Sequence, residues 1–247
     1  MNMDTSFEEL YHEREMRHWW FCGRRDFIAR LLDAVPRGDA LLDVGCSGGA
    51  LLDALRTRGF TNLTGIDISP RAVERCHTRG FTHVREADAC ALPFADNTFD
   101  IVVASDLLEH IADADRAMVE WYRVLKPCGR LLVFVPAHQW LWSYHDTINH
   151  HVKRYRYDEL IACMNSQHLR IVRSGFWNTF LFVPIAGVRL LERLFRHTPR
   201  SSSGNLKMTP TPVNILLAHL LMWENRLQMR GVAFPCGVSI FAVGEKI

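Results

Sequence analysis

The stretch Ala40-Leu-Leu-Asp-Val-Gly-Cys-Ser-Gly-Gly-Ala-Leu-Leu-Asp-Ala54 decides the fold, because it joins a short apolar run to a helical pattern through a glycine-rich loop. Within it, Gly45-Cys-Ser-Gly-Gly49 spells the G-x-S-x-G of a hydrolase nucleophile elbow, which would make Ser47 the nucleophile. The same loop also fits a cradle for a nucleotide-bearing cofactor. The two interpretations exclude each other.

The residues around the loop support neither a nucleophile elbow nor a dinucleotide site. The elbow of α/β-hydrolases follows several strands, whereas this loop follows the first predicted strand, and no acid and histidine stand out at the expected downstream spacing. A dinucleotide fingerprint needs small glycines where this chain has Ser47 and Ala50. A loop for a different cofactor is therefore favoured.

Short apolar runs alternate with amphipathic stretches from residue 40 onward, which predicts a doubly wound α/β fold with a mostly parallel sheet covered by helices on both faces. Helices are predicted at 7–34 and at 157–165. Lys126-Pro-Cys-Gly129 is expected to form the turn before the fifth strand. The seven predicted strands are 40–44, 63–66, 81–84, 99–104, 131–135, 168–174 and 237–245.

The last two predicted strands are separated by a long segment, far longer than the roughly 2 to 5 residues of a hairpin loop. We therefore expect an insertion with its own structure. The predicted organisation is an N-terminal helical cap at 1–36, an α/β core at 37–175, a helical insertion at 176–232 and the final core strand at 233–247.

Composition narrows the choice of partners and compartment. The formal net charge is +2, from 29 basic and 27 acidic side chains, so no strong field favours nucleic acid. The 7 cysteines are scattered without a C-x-x-C pair, which favours a reducing cytoplasm over a disulfide framework or zinc knuckle. The acidic N-terminal segment does not fit a secretory signal, and we expect membrane contact, if there is any, to be peripheral.

The glycine loop resembles that of class I S-adenosylmethionine-dependent methyltransferases, whose pattern is acid-x-Gly-x-Gly-x-Gly. The matching segment is Asp43-Val-Gly45-Cys-Ser47-Gly-Gly49, with serine in place of the central glycine. The resemblance continues in order through Leu63-Thr-Gly-Ile-Asp67, Glu86-Ala-Asp88, Phe99 to His110 and Leu125-Lys-Pro-Cys-Gly129. It implies a seven-stranded Rossmann-like methyltransferase fold that binds S-adenosylmethionine.

The resemblance also assigns cofactor contacts. Asp43 is expected near the ammonium group of the cofactor, and Asp67 at the ribose hydroxyls, although either acid could instead only cap a helix. By the same resemblance, Asp88 and the main chain of Ala89 are expected to recognise the adenine, and the main chain near Ser105 is expected to line the pocket for the sulfonium group. The complete set of predicted cofactor residues is Asp43, Gly45, Cys46, Ser47, Gly49, Asp67, Ile68, Asp88, Ala89, Ser105 and Trp20.

Two further segments resemble a bacterial branch of these methyltransferases, often encoded with glycan, lipid or specialised-metabolite pathways. His18-Trp-Trp-Phe-Cys-Gly-Arg-Arg25 matches its opening, where Trp20 either roofs the cofactor pocket or packs on the sheet edge. Trp140-Leu-Trp-Ser-Tyr-His145-Asp146 with His151-Val-Lys-Arg154-Tyr155 matches its segment after the fifth strand. These residues are expected to meet the methyl acceptor.

The histidines of that second segment are the catalytic candidates. A histidine has a suitable pKa to deprotonate a hydroxyl or an ammonium group, and an adjacent acid can orient it. We predict His145 as the base, His151 as the second choice and Asp146 as the orienting acid; a purely structural network is the alternative. Diagnostic metal-ligand spacing is missing from the segment, so no metal is predicted.

The predicted function is methyl transfer from S-adenosylmethionine to an oxygen or nitrogen of a small metabolite in biosynthesis. The apolar insertion could form a lid, a homodimer interface or a surface that rests on a membrane, where Arg189, Arg193, Arg196 and Arg200 would suit anionic head groups. Two alternatives stay open: a peripheral-membrane methyltransferase of a polyprenyl or quinone head group, and a cofactor-binding subunit without catalysis.

Overall fold

The computed structural model describes residues 14–194 and 209–247, except for the side chains of residues 192–194. Seven strands in these ranges form one mixed sheet: β1 Leu41–Val44, β2 Leu63–Asp67, β3 Val84–Glu86, β4 Phe99–Ser105, β5 Leu125–Pro136, β6 Leu169–Trp177 and β7 Ser239–Lys246. Their spatial order is β3-β2-β1-β4-β5-β7-β6. The first five strands are parallel, and β7 runs antiparallel between β5 and β6. The predicted fold class is confirmed.

The helices alternate with the parallel strands and then depart from that rhythm after β5. In chain order the described helices are α1 Trp19–Leu31, α2 Ala50–Thr57, α3 Pro70–Thr78, α4 Ala114–Val124, α5 Tyr144–Ile148, α6 Tyr157–Ser166, α7 Phe182–Leu194 and α8 Thr211–Met229. None of the described helices combines the length and the apolar character needed to cross a membrane.

Strand alternation sends neighbouring side chains into two separate hydrophobic clusters. Leu41 of β1 packs with Val103 on one face of the sheet, together with α1 and α8, whereas Leu42 packs with Val102 on the other face, together with α4 and α6. All four residues of β1 are buried, as expected for a central parallel strand covered on both faces.

Local side-chain chemistry determines where the helices near the sheet begin. The hydroxyl of Ser69 accepts a hydrogen bond from the amide of Ala72, and Pro70 occupies the first turn of α3. Asp113 caps α4 in the same way, by accepting from the amide of Arg116. These caps set the positions of the loops that precede both helices.

Three local predictions differ from the structure. The predicted strand 81–84 overlaps β3 only at Val84, because the chain turns before that residue. The predicted helix 7–34 is interrupted at residues 16–18, and its first part lies outside the described residues. The predicted turn at 126–129 lies inside β5 as an irregularity in the pairing with β4, where Cys128 adopts φ 63°.

The insertion and the N-terminal segment meet on one face of the sheet. Asn225 of α8 is fully buried, and its amide donates to the carbonyl of Gly23 at 2.9 Å and to Asp26 at 2.9 Å. Its oxygen accepts from the indole of Trp177 at 2.8 Å. This buried amide therefore ties α8 to α1 and to the end of β6.

Close contact between α1 and α8 gives a stability prediction. A Cβ added at Gly23 would lie 2.8 Å from Cβ of Leu221, so Gly23→Ala must push the helices apart. We expect a loss of about 1–3 kcal/mol, seen as a lower melting temperature. Gly187→Ala is the matched control, because a Cβ at this helical glycine meets no described atom within 4 Å. Equal melting temperatures for the two variants would contradict this packing.

Candidate functional site

A cavity of about 930 Å³ opens at the carboxyl ends of the parallel strands. Its walls come from the segments that follow β1, β2, β3, β4 and β5, and from α1, α7 and α8. This is the edge of an open α/β sheet at which ligands usually bind, because successive loops there diverge to either side of the sheet. The cavity has an acidic part near the glycine loop and a part rich in histidine near α5.

The glycine loop between β1 and α2 needs left-handed backbone at three positions. Gly45, Ser47 and Gly49 have φ values of 74°, 50° and 79°. A Cβ at Gly45 would lie 2.9 Å from the side chain of Leu107, so only glycine fits there without a shift. Ser47 adopts the left-handed backbone despite its Cβ, at a position where the family pattern has glycine.

Asp67 holds this loop in place. One carboxylate oxygen accepts from the amide of Ser47 at 2.9 Å, and the other accepts from the amide of Ser69 at 2.9 Å. Because Ser69 itself caps α3, the cap that Asp67 could have supplied is already present. A carboxylate can accept further hydrogen bonds, and Asp67 lines the cavity.

Three carboxyl groups gather at the loop. The hydroxyl of Ser47 donates to Glu15 at 2.9 Å, and Asp43 lies beneath the loop with only 3% of its surface exposed. Burial, together with the negative charges of Glu15 and Asp67, raises the pKa of Asp43 to about 8. The loop is therefore suited to a cationic ligand group, whose charge would compensate these acids.

The predicted cofactor residues divide into those that line the cavity and those behind it. Asp43 and Gly49 stand behind the loop, and Ser105 instead donates to Asp106 at 3.1 Å. Cys46 is also buried; a hydrogen bond with Cys76 and burial raise the pKa of its thiol, so it does not fit a nucleophile. Those that line the cavity are Trp20, Gly45, Ser47, Asp67, Ile68, Asp88 and Ala89.

Trp20 has both of the environments considered for it. Its ring packs edge-on against Trp177 with a centroid separation of 4.9 Å, and the guanidinium of Arg24 lies 5.3 Å from its centroid. The same ring forms part of the cavity wall. Trp20 is therefore both a packing residue and a wall of the site.

The histidine part of the cavity is organised by Asp146, which is fully buried. Its carboxylate accepts from Arg154 Nε at 2.8 Å and from the amide of Ser143 at 2.8 Å, and lies 2.9 Å from Nδ1 of His151. Burial alone would raise the pKa of Asp146, but the hydrogen bond with His151 and the charge of Arg154 lower it. Asp146 is therefore a carboxylate that holds His151 in one orientation.

His145 does not receive the same support. Consecutive residues of a helix project about 100° apart, so the side chain of Asp146 points away from the neighbouring ring of His145 and toward His151. The amide of Asn149 instead lies 3.1 Å from Nε2 of His145. Burial, followed by the charge of Arg189, lowers the pKa of His145 to about 4. The geometry thus favours His151, the second choice from the sequence, as the reactive imidazole.

Two further residues of this part of the cavity are not among the predicted site residues. Glu109 and His110 follow β4 and line the cavity beside His151. Burial and the charge of Asp106 raise the pKa of Glu109 well above its usual range, whereas burial and the charge of His151 lower that of His110 to about 4. Their position directly after a central parallel strand was the available signal.

Comparison with known proteins shows that the chain is similar to methyltransferases. Residues 42–133 match a family model described as a methyltransferase domain. The chain is 38% identical to 27-O-demethylrifamycin SV methyltransferase of Amycolatopsis mediterranei over 111 aligned residues. This aligned region covers 41% of each chain. It is 28% identical over 201 residues to a ubiquinone biosynthesis O-methyltransferase of Aromatoleum aromaticum, covering 74% of this chain and 79% of the relative.

The chain spans less than half the length of the first curated relatives that it matches. Its fold is also similar to a chain in the complex between the Haloferax volcanii Trm112 methyltransferase activator and a methyltransferase, with a TM-score of 0.64 and 19% identity over 97% of this chain and 94% of that one. The family match begins after residue 41, so the resemblance of residues 18–25 to a bacterial branch stays a prediction.

The raised pKa of Asp43 predicts how stability changes with pH. The pKa is about 8 in the folded chain and near the ordinary aspartate value of about 3.9 when unfolded, so the folded state holds a proton that the unfolded chain releases between these values. The contribution of Asp43 to stability should therefore be fully present below about pH 4 and should fall as the pH rises toward 8. In Asp43→Asn this decline should largely disappear in thermal melts, and the variant should melt a few degrees higher than the wild type at pH 8.

Asp33→Asn is the control for this experiment, because Asp33 is an exposed acid. It should keep the pH profile of the wild type. If Asp43→Asn also keeps that profile, then Asp43 is ionised in the folded chain. In that case burial and the charges of Glu15 and Asp67 do not raise its pKa as inferred.

Proposed function

Because the chain carries a class I S-adenosylmethionine-dependent methyltransferase domain, we propose that it transfers a methyl group to an oxygen or nitrogen of a small-molecule metabolite. The observation that carries this proposal is that the acidic glycine loop and the His151–Asp146 pair open into one cavity. Names of relatives that are O-methyltransferases favour oxygen as the acceptor atom. We also propose that the reaction belongs to specialised-metabolite, glycan or lipid biosynthesis.

The residues around the loop fit S-adenosylmethionine. When bound, this cofactor supplies a methyl group on a positively charged sulfonium sulfur and also carries an ammonium group. The cationic groups of the cofactor would favour ionisation of Asp43, whose pKa is raised to about 8, and the glycine backbone lets the main chain approach the ligand closely. Asp67 is the ribose ligand in this proposal, with Asp88 and Ala89 at the adenine.

The far wall of the cavity suggests an apolar acceptor. Leu181, Pro184, Ile185 and Val188, from α7 and the residue before it, face the cavity together with Leu217 of α8. Burial of an apolar group against such a wall stabilises binding by about 25 cal/mol per Å². An acceptor with a hydrocarbon or aromatic body could pack against this apolar wall while its one reactive polar group faces His151.

His151 is the residue that we propose to activate the acceptor. Its Nδ1 is engaged by Asp146, so Nε2 is the nitrogen that remains for a proton or a ligand. Asp146 stabilises a positively charged imidazole and fixes the ring orientation. The rest of the site would align the acceptor with the methyl group of the cofactor and exclude water.

A second candidate function is methylation of a lipid head group at a membrane surface. Large apolar side chains are exposed on α7 and α8, with Val183, Leu216 and Trp223 exposed by 75%, 67% and 54%. The same surface would also suit a homodimer. The side chains of Arg193, Arg196 and Arg200 lie outside the described residues, so head-group binding by them rests on the sequence alone. Absence of binding to anionic vesicles would argue against this candidate.

His151→Gln tests the proposed role of the imidazole. With an acceptor found by screening metabolites, we expect kcat for S-adenosylhomocysteine formation to fall about 10²–10⁴-fold, while cofactor affinity stays within a few-fold. His150→Gln is the matched control, because His150 lines the same cavity without bonding Asp146. Unchanged turnover in His151→Gln would contradict the assignment. Absence of turnover in the wild type with every acceptor, despite cofactor binding, would favour a non-catalytic subunit.

A further inference from the structure

Glu109, His110 and His151 bring two imidazoles and one carboxylate together in the histidine part of the cavity. One ligand atom from each residue lies within 4.8 Å of the other two. The rings of His110 and His151 are nearly perpendicular, with centroids 4.7 Å apart. The two segments that carry them are joined by a short main-chain hydrogen bond, from the amide of Val152 to the carbonyl of Glu109 at 2.6 Å.

One oxygen of the buried Glu109 carboxylate has no hydrogen-bond partner in the part of the chain that the structure describes. Only 1% of the residue is exposed, and Oε2 has no hydrogen-bond partner among the described residues. Two buried cations lie near it: Arg24 pairs with Asp106 at 3.1 Å while its Nε and Nη1 have no hydrogen-bond partner within the described ranges, and Arg154 pairs with Asp146 at 2.8 Å. A buried carboxylate oxygen without a partner is costly, so a ligand that bonds to it is expected.

Both imidazoles are already oriented by a second hydrogen bond. Nδ1 of His151 contacts the carboxylate of Asp146 at 2.9 Å, and a main-chain hydrogen bond with Asn149 engages His110. Histidines that bind metals usually use one nitrogen for the metal while a carboxylate or carbonyl fixes the other. The carboxylate–histidine pair of Asp146 and His151 has this arrangement.

We propose that Glu109, His110 and His151 bind a divalent transition-metal cation such as Zn²⁺ or Co²⁺. Two imidazoles and a carboxylate are a suitable donor set for these ions, and three protein ligands leave a position for an oxygen of the acceptor. Bonds of about 2.1 Å place tetrahedral ligand atoms about 3.4 Å apart, so ligand atoms that lie within 4.8 Å of one another must approach by up to about 1.4 Å.

This inference deepens the proposed function and rests on it only for the role of the cation. With the cation bound, Nε2 of His151 is a metal ligand, and the cation lowers the pKa of a coordinated hydroxyl in place of the imidazole. The hydroxyl then releases its proton to water before it accepts the methyl group. Binding of the cation itself needs neither S-adenosylmethionine nor an acceptor.

Titration of the full chain, stripped by a chelator, with Co²⁺ tests the site directly. We expect one equivalent to bind, with visible absorption bands of a nitrogen–oxygen site and without the intense near-ultraviolet band of thiolate ligands. Glu109→Gln and the double variant His110→Gln/His151→Gln should each weaken binding at least tenfold. Asp146→Asn should weaken it less, because Asp146 only orients His151. His150→Gln is the control and should bind like the wild type.

Circular dichroism and S-adenosylhomocysteine binding in the same samples show whether each variant is folded. Absence of stoichiometric Co²⁺ binding to the wild type, or equal binding by the folded cluster variants, would overturn the inference. Methyl transfer by the stripped protein at the rate of the Co²⁺-loaded protein would also overturn the role given to the cation, while leaving the proposed function intact. Stoichiometric binding without methyl transfer would support the site and count against the proposed function.

Discussion

Two hydrogen bonds accepted by the carboxylate of Asp67 are the constraint on which the site depends. They join the end of β2 to the amide of Ser47 in the glycine loop and to the amide of Ser69 at the start of α3. Because Ser47 holds a left-handed backbone that its Cβ disfavours, the loop needs an external restraint of this kind. The same carboxylate faces the cavity, so loop geometry and ligand recognition are coupled through one residue.

A second buried carboxylate organises the opposite part of the cavity. Asp146 gathers His151, Arg154 and the amide of Ser143 from one short segment, and it is fully buried. Truncation of such a group would leave Arg154 as an unpaired buried charge, which is strongly destabilising. The orientation of His151 is therefore fixed by the stability of the segment as well as by its own contacts. In the proposed function, Asp67 lies on the cofactor side of the cavity and Asp146 on the acceptor side.

The sequence predicted the succession of strands along the chain, the glycine loop and the acid at the end of β2, because these features depend on local patterns that repeat along a parallel sheet. It misplaced β3 and missed the bulge at Cys128, since short strands and positive φ angles depend on neighbouring elements. It paired Asp146 with His145 because the two are adjacent in the chain. In the helix, the side chains of these two neighbours project in different directions. The Glu109 carboxylate was assigned no role because its burial depends on α1 and on the segment after β5, which no local sequence pattern reveals.

A crystal structure of the chain with S-adenosylhomocysteine would show whether the cavity binds the cofactor as proposed. We expect the ribose to contact the carboxylate of Asp67, the adenine to lie beside Asp88 and Ala89, and the sulfur to face the part of the cavity that contains His151. A bound molecule whose sulfur faces away from His151, or whose ribose does not contact Asp67, would contradict this expectation. Failure of the compound to bind at millimolar concentration would contradict it as well.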